Sequence, residues 1–142
     1  MKQQNYKNHG KYVIGYHGVT LIAILAFLGG SIKNFMSSSE DNLYASSLLV
    51  LLGFILLFMM YFIRSFALRA QDRAIRAEEK LRYFILTGKS ISNKLTTRQF
   101  IGLRFASDNE FVDLANRAVM DNLSETDIKK AIGNWKADNY RV

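Results

Sequence analysis

Few residues in this chain could do chemistry, so their spacing limits what that chemistry could be. The two histidines, His9 and His17, are eight residues apart. On a helix that is about 12 Å, too far to share one metal ion within a subunit. There is no cysteine in the 142 residues, hence no thiol nucleophile, disulfide framework or Cys-ligated zinc site. No phosphate-cradling Gly-rich loop, HExxH or Ser/His/Asp set stands in the sequence, and Gly29-Gly30 falls inside an apolar run. An enzyme is not expected, and no cofactor.

Two polar sets remain. Tyr16 and His17 would lie in the first turns of an apolar helix, where a titratable group is a candidate site. The plainer and favoured reading is a hydrogen-bonded pair at a membrane interface. Arg69, Arg73, Arg76 and Lys80 recur at i, i+4, i+7 and i+11, a basic stripe suited to anionic lipid headgroups or an acidic partner. Here too the plainer reading is favoured: positive charge that orients a membrane protein.

The elements holding these residues follow from hydropathy. The chain is 49% hydrophobic with a net charge of +7, yet the apolar residues concentrate in two runs, 13–32 and 43–63. A helix needs about 20 residues to cross the roughly 30 Å hydrocarbon layer, and both runs are long enough. A cleavable signal peptide is disfavoured, because the first run exceeds the usual apolar core and lacks an Ala-x-Ala site. The segment 1–12 carries Lys2, Lys7 and Lys11, while the Ser-rich link 33–42 sets Lys33 against Glu40 and Asp41. After the second run come Arg64, Arg69, Arg73, Arg76, Lys80 and Arg82. The positive-inside rule then places both termini in the cytoplasm and the link outside. Ten residues outside are too few for an external receptor or enzyme.

Small residues mark packing faces within the runs. Ala26 and Gly30 have small-xxx-small spacing, and Ser46 and Gly53 share one face of the second helix. No Gly or Pro interrupts 64–86, so the second helix is expected to continue into the cytoplasm, to a length on the order of 65 Å. Phe66, Ala70, Ala74, Ala77, Leu81 and Phe84 form a second stripe there, open to another helix. A homo-oligomer or larger complex is expected.

Beyond Gly88, helix starts are written locally. Thr96 to Gln99 and Ser107 to Glu110 fit capping boxes, and Ser124 to Asp127 fits a variant. The apolar spacing predicts helices over 97–106, 108–121 and 125–135, a small three-helix unit spanning 95–135, followed by a tail 136–142. After residue 86 there are nine bases and seven acids, so no nucleic-acid partner is expected.

The sequence resembles a family of small, uncharacterised bacterial membrane proteins known as a domain of unknown function. The resemblance rests on Asn8-His9, Tyr12 and Tyr16-His17, then on Arg64-Ser65-Phe66-Ala67-Leu68-Arg69 with Asp72-Arg73. It continues with Leu103-Arg104-Phe105-Ala106-Ser107-Asp108, Asp127-Ile128-Lys129-Lys130-Ala131-Ile132 and Asn134-Trp135. It implies a two-span inner-membrane protein; some members carry a transporter-permease label. The expected class is therefore an all-α membrane protein: a two-helix transmembrane hairpin, its second helix extended into the cytoplasm, then a small helical unit. The leading expectation for its role is a self-associating scaffold or accessory subunit, with an oligomeric channel or small transport component as the alternative.

Overall fold

A computed structural model describes residues 4–8 and 10–138. Among these the chain is all-helical, with five α-helices and no strand. The first apolar run opens as a π-helical segment, Gly15–Thr20, and continues as α1, Leu21–Met36. Helix α2, Glu40–Thr87, carries the second run and the charged stretch after it through 48 residues. Glu40 and Asp41 in its first turn suit the positive end of the helix dipole. It stops at Gly88, whose φ of 68° is the left-handed conformation that ends helices most easily at glycine.

The chain divides into two compact units, Tyr12–Ala67 and the described residues of Met1–Lys11 with Leu68–Val142. In the first, α1 packs against the first half of α2. Ser31, Ser46 and Gly53 are its buried residues. The hydroxyls of Ser31 and Ser46 donate to carbonyls of their own helices, Phe27 O at 2.8 Å and Asn42 O at 3.0 Å. Both polar groups are thus satisfied without an outside partner. Leu28 fills the space above Gly53, and the Tyr16 hydroxyl donates to the Met60 carbonyl. Rising numbers on one helix meet falling numbers on the other, so the hairpin is antiparallel. Its outer faces stay apolar and open: only 11% of the most apolar 18-residue stretch of each long helix is buried.

The second unit is built on three short helices: α3, Thr97–Leu103; α4, Asp108–Met120; and α5, Glu125–Ala131. Helices α3 and α5 start where a side-chain cap closes on their first turn, and at the start of α4 Glu110 Oε1 accepts from Ser107 N at 3.4 Å. Thr96 Oγ1 accepts from Gln99 N at 3.3 Å while Gln99 Oε1 accepts from Thr96 N at 2.8 Å. The buried Gln99 amide also donates to Ala118 O and Leu123 O, so one side chain begins α3 and satisfies the end of α4. Ser124 Oγ accepts from Asp127 N at 3.1 Å. That hydroxyl in turn holds the Asp127 carboxyl below the usual carboxylate range. Phe100, Leu103, Phe105, Phe111 and Ile128 are fully buried in one core.

Helices α3 and α5 stop short of the expected 106 and 135. After Ala131 the chain turns back, and Trp135 forms an isolated antiparallel bridge with Ala106. Ser107 N donates to Asn134 O at 3.0 Å and Lys136 N to Phe105 O at 2.7 Å. Glu110 accepts from Gly133 N at 3.0 Å and Asn134 N at 2.9 Å, which fixes the turn. Residues 136–138 are therefore ordered into the unit. The N-terminal segment joins them: the Gln4 amide accepts from Asp138 N at 2.8 Å and donates to Asp138 O at 3.3 Å.

Candidate functional site

The structure brings Tyr16 and His17 together on the π-helical segment. The His17 ring stacks on Tyr12 at 4.5 Å and meets Tyr16 edge-on at 5.2 Å. Its Nδ1 lies 3.2 Å from Val13 N and 3.1 Å from the Val13 carbonyl oxygen, so that nitrogen finds a local partner whether it accepts or donates. Thr20 Oγ1 donates to Gly15 O at 2.9 Å, closing the wide turn with a side chain. The aromatic cluster thereby sits at the entrance to α1, tied to α2 through the Tyr16 hydroxyl. Chemically it is an anchor in which His17 Nδ1 and the Tyr16 and Thr20 hydroxyls are already engaged. His9, the other histidine, lies outside the described residues. Among the described residues, no group of three or more His, Cys, Asp or Glu is placed to hold a metal ion.

The small residues divide into two sets. Gly53 belongs to the hairpin contact: a Cβ there would fall 2.6 Å from Leu28 Cδ1 and 3.4 Å from its Cα. Ser46 is buried on the same side, seven residues earlier. Ala26 and Gly30 are exposed, and a Cβ on Gly30 would meet nothing within 4 Å. Gly53→Leu is expected to destabilise the hairpin by about 1–3 kcal/mol through overpacking, whereas Gly30→Leu costs little in the single chain. Thermal denaturation of both variants in detergent checks the contrast.

On the charged half of α2, Arg69, Arg73 and Arg76 are exposed and Lys80 is half-buried. Ala70, Ala74 and Ala77 are also exposed. The side of α2 that holds the unit carries Ile75, Glu79, Arg82 and Tyr83 instead. Arg82, with only 12% of its side chain exposed, is the centre of this contact. Its Nη1 reaches Glu79 at 3.1 Å, Nε reaches Asp108 at 2.6 Å, and Nη2 donates to Ala106 O at 2.7 Å. The guanidinium lies 4.3 Å over the Phe111 ring. Glu79 is buried beside it: desolvation raises its pKa above the ordinary carboxylate value, and the Arg82 charge offsets part of that.

Two concavities lie in the same unit, neither evident from spacing. A cleft of about 200 Å³ is lined by Gln71, Ile75, Glu78, Glu79, Arg104 and Asp138, among others. Arg104 crosses it to Asp138 at 3.2 Å and lies 4.6 Å over Phe105. That ion pair spans the cleft, which suits a clasp, while Glu78 and Lys136 also face it. An open groove of about 530 Å³ is lined by Tyr6, Lys7, Lys129, Lys130, Ile132 and Trp135 together with Asn5. Lys129 already donates to Glu125 at 2.6 Å. The sequence signal for the groove was the Lys129-Lys130 pair beside Trp135, but its other wall comes from more than 120 residues away.

Among the described residues the protein is thus all-helical, with two helices long and apolar enough to cross a membrane and a unit of three short helices. The chain belongs to a family of unknown function (DUF6526), whose profile matches residues 1–142. No curated protein and no solved structure matches it.

Proposed function

We propose that this protein is a non-enzymatic, two-span component of the bacterial inner membrane, both termini cytoplasmic, that self-associates as a scaffold or accessory subunit of a membrane complex. One observation carries the reading: two long apolar helices cover one face of each other and leave the rest of their apolar surface bare. A helix at the core of a water-soluble protein would be mostly buried, and exposed apolar area of this extent is untenable in water. Lipid supplies the missing neighbour, and the backbone needs no help there because both spans are helices. The Lys and Arg flanking the runs support the orientation. The exposed Arg69, Arg73 and Arg76 suit anionic headgroups at the inner surface. Self-association draws support from Ala26 and Gly30, whose small-residue face stays open after the hairpin has formed.

The absence of native cysteine makes the topology directly testable. In intact spheroplasts, Ser38→Cys is expected to react with a membrane-impermeant maleimide, and Ser90→Cys only after lysis. Labelling of Ser90→Cys in intact cells, or recovery of the chain in the soluble fraction, would overturn the topology. Native mass spectrometry in mild detergent is expected to give a multiple of the 16.2 kDa chain or an added foreign mass. A strict monomer with no companion would sink the scaffold reading.

A further inference from the structure

The charged half of α2 carries a seam exposed along its length, of whose residues Ala74 borders the cleft beside Arg104 and Lys136. Ala70, Ala74, Ala77, Leu81 and Phe84 follow one another at steps of four, three, four and three, the alternation that lines the core of a coiled coil. All five are exposed, with Leu81 at 61% and Phe84 at 54%. The unit packs against α2 from elsewhere on its circumference, through Ile75, Glu79, Arg82 and Tyr83. An apolar line left exposed on one helix calls for a partner helix.

The residues flanking the seam say what that partner is. Arg73 precedes Ala74 and Glu78 follows Ala77, five positions apart. In a parallel, in-register pair, these flanking positions face each other across the seam. Each Arg73 would then meet the partner's Glu78, twice by symmetry. In an antiparallel pair Arg73 and Lys80 would face the same basic positions, and the contact would repel. The pattern is complementary to itself in one orientation, the orientation that two copies inserted the same way in one membrane must share.

We infer that α2 pairs in parallel with α2 of a second copy of this chain along Ala70, Ala74, Ala77, Leu81 and Phe84, with Arg73 set against the partner's Glu78. The inference rests on the self-association proposed above and adds its site, direction and register. Alanines along the seam let the backbones approach closely, and confinement to one membrane raises the effective concentration, so a short seam suffices.

Single-cysteine variants test it in native membranes under mild oxidation. Ala70→Cys, Ala77→Cys and Phe84→Cys are each expected to give a disulfide-linked species of twice the chain mass, and Arg76→Cys, off the seam, to give little. In the Ala77→Cys background, Arg73→Glu and Glu78→Arg each convert attraction to repulsion and should lower the dimer yield by about tenfold. The two together should restore it. Cross-linking at one seam position alone would indicate an antiparallel pair and overturn the register. Failure of the double swap to rescue would overturn the Arg73–Glu78 pairing. An oligomer in native mass spectrometry without seam cross-links would remove the seam and leave self-association standing. A monomer there would remove both.

Discussion

Phe100→Ala is expected to cost the second unit about 3–5 kcal/mol, the range for emptying a phenylalanine site in a closed core. Phe100 is fully buried on α3, in one core with Leu95 and with Phe111, Leu114 and Ile128 of α4 and α5. Gly102, two residues on, shows how little slack there is: a Cβ there would stand 3.0 Å from Ile128 Cγ2 and 3.2 Å from Glu125 O. Surroundings packed that closely cannot collapse into the void. A unit of this size holds on the order of 4–12 kcal/mol in total, so the loss takes a large fraction and lowers Tm by roughly 15 °C or more. The single tryptophan, Trp135, reports on the unit from outside the mutated site, 5.1 Å from Phe105. Urea titration of the full chain in micelles, followed by its emission, gives the shift in midpoint. A change below about 1 kcal/mol would mean that Phe100 is not part of a close-packed core.

Arg82→Ala should have an effect of similar size, and one that depends on pH. The substitution strips the cation from Glu79, frees Asp108 to water and leaves the Ala106 carbonyl without its donor. Asp108 is exposed and rehydrates at small cost. Glu79 is buried, and breaking such a pair by removing one partner costs about 3–5 kcal/mol. Its carboxyl is already raised above the ordinary value by burial, and removal of Arg82 raises it further. A raised carboxyl pKa means that the folded unit holds the proton more tightly than the unfolded chain. Stability therefore falls as pH climbs from the ordinary carboxylate range through the raised value, and recovers toward acid. The variant is expected to be least stable at neutral pH and to regain part of the loss on acidification. Adding Glu79→Gln should remove that pH dependence. Identical urea midpoints at neutral and mildly acidic pH in Arg82→Ala would refute this account.

The parts of the fold that were legible in the sequence are those whose signals lie within a few residues. Thr96 with Gln99 and Ser124 with Asp127 mark the starts of α3 and α5 because a cap is a contact over three positions. The ends of α3 and α5 were not legible in the same way, whereas α4 ends within one residue of the expected 121. Leu103 and Ala131 end their helices because Trp135 pairs with Ala106, 29 residues away, and because Glu110 takes the N–H groups of Gly133 and Asn134. The small-residue faces were visible by spacing, but which of them would close the hairpin depends on helix rotation. Leu28 over Gly53 settles that, leaving Ala26 and Gly30 outside. Arg82 reads in sequence as one more base in a basic stretch. Only burial separates it from the exposed Arg76.

Gln4 and Asp138 are joined by two hydrogen bonds across a sequence separation of 134 residues. During synthesis that separation is time. At about 5–20 residues per second, Asp138 leaves the ribosome roughly 7–27 s after Gln4. Throughout that interval the N-terminal segment has no backbone partner in its final site, and Tyr6 and Lys7 lack the wall formed by Lys130 and Trp135. Lys7 meets that wall only once the last residues of the unit have been made. The groove is therefore among the last features of the unit to be completed, because its two walls come from opposite ends of the sequence.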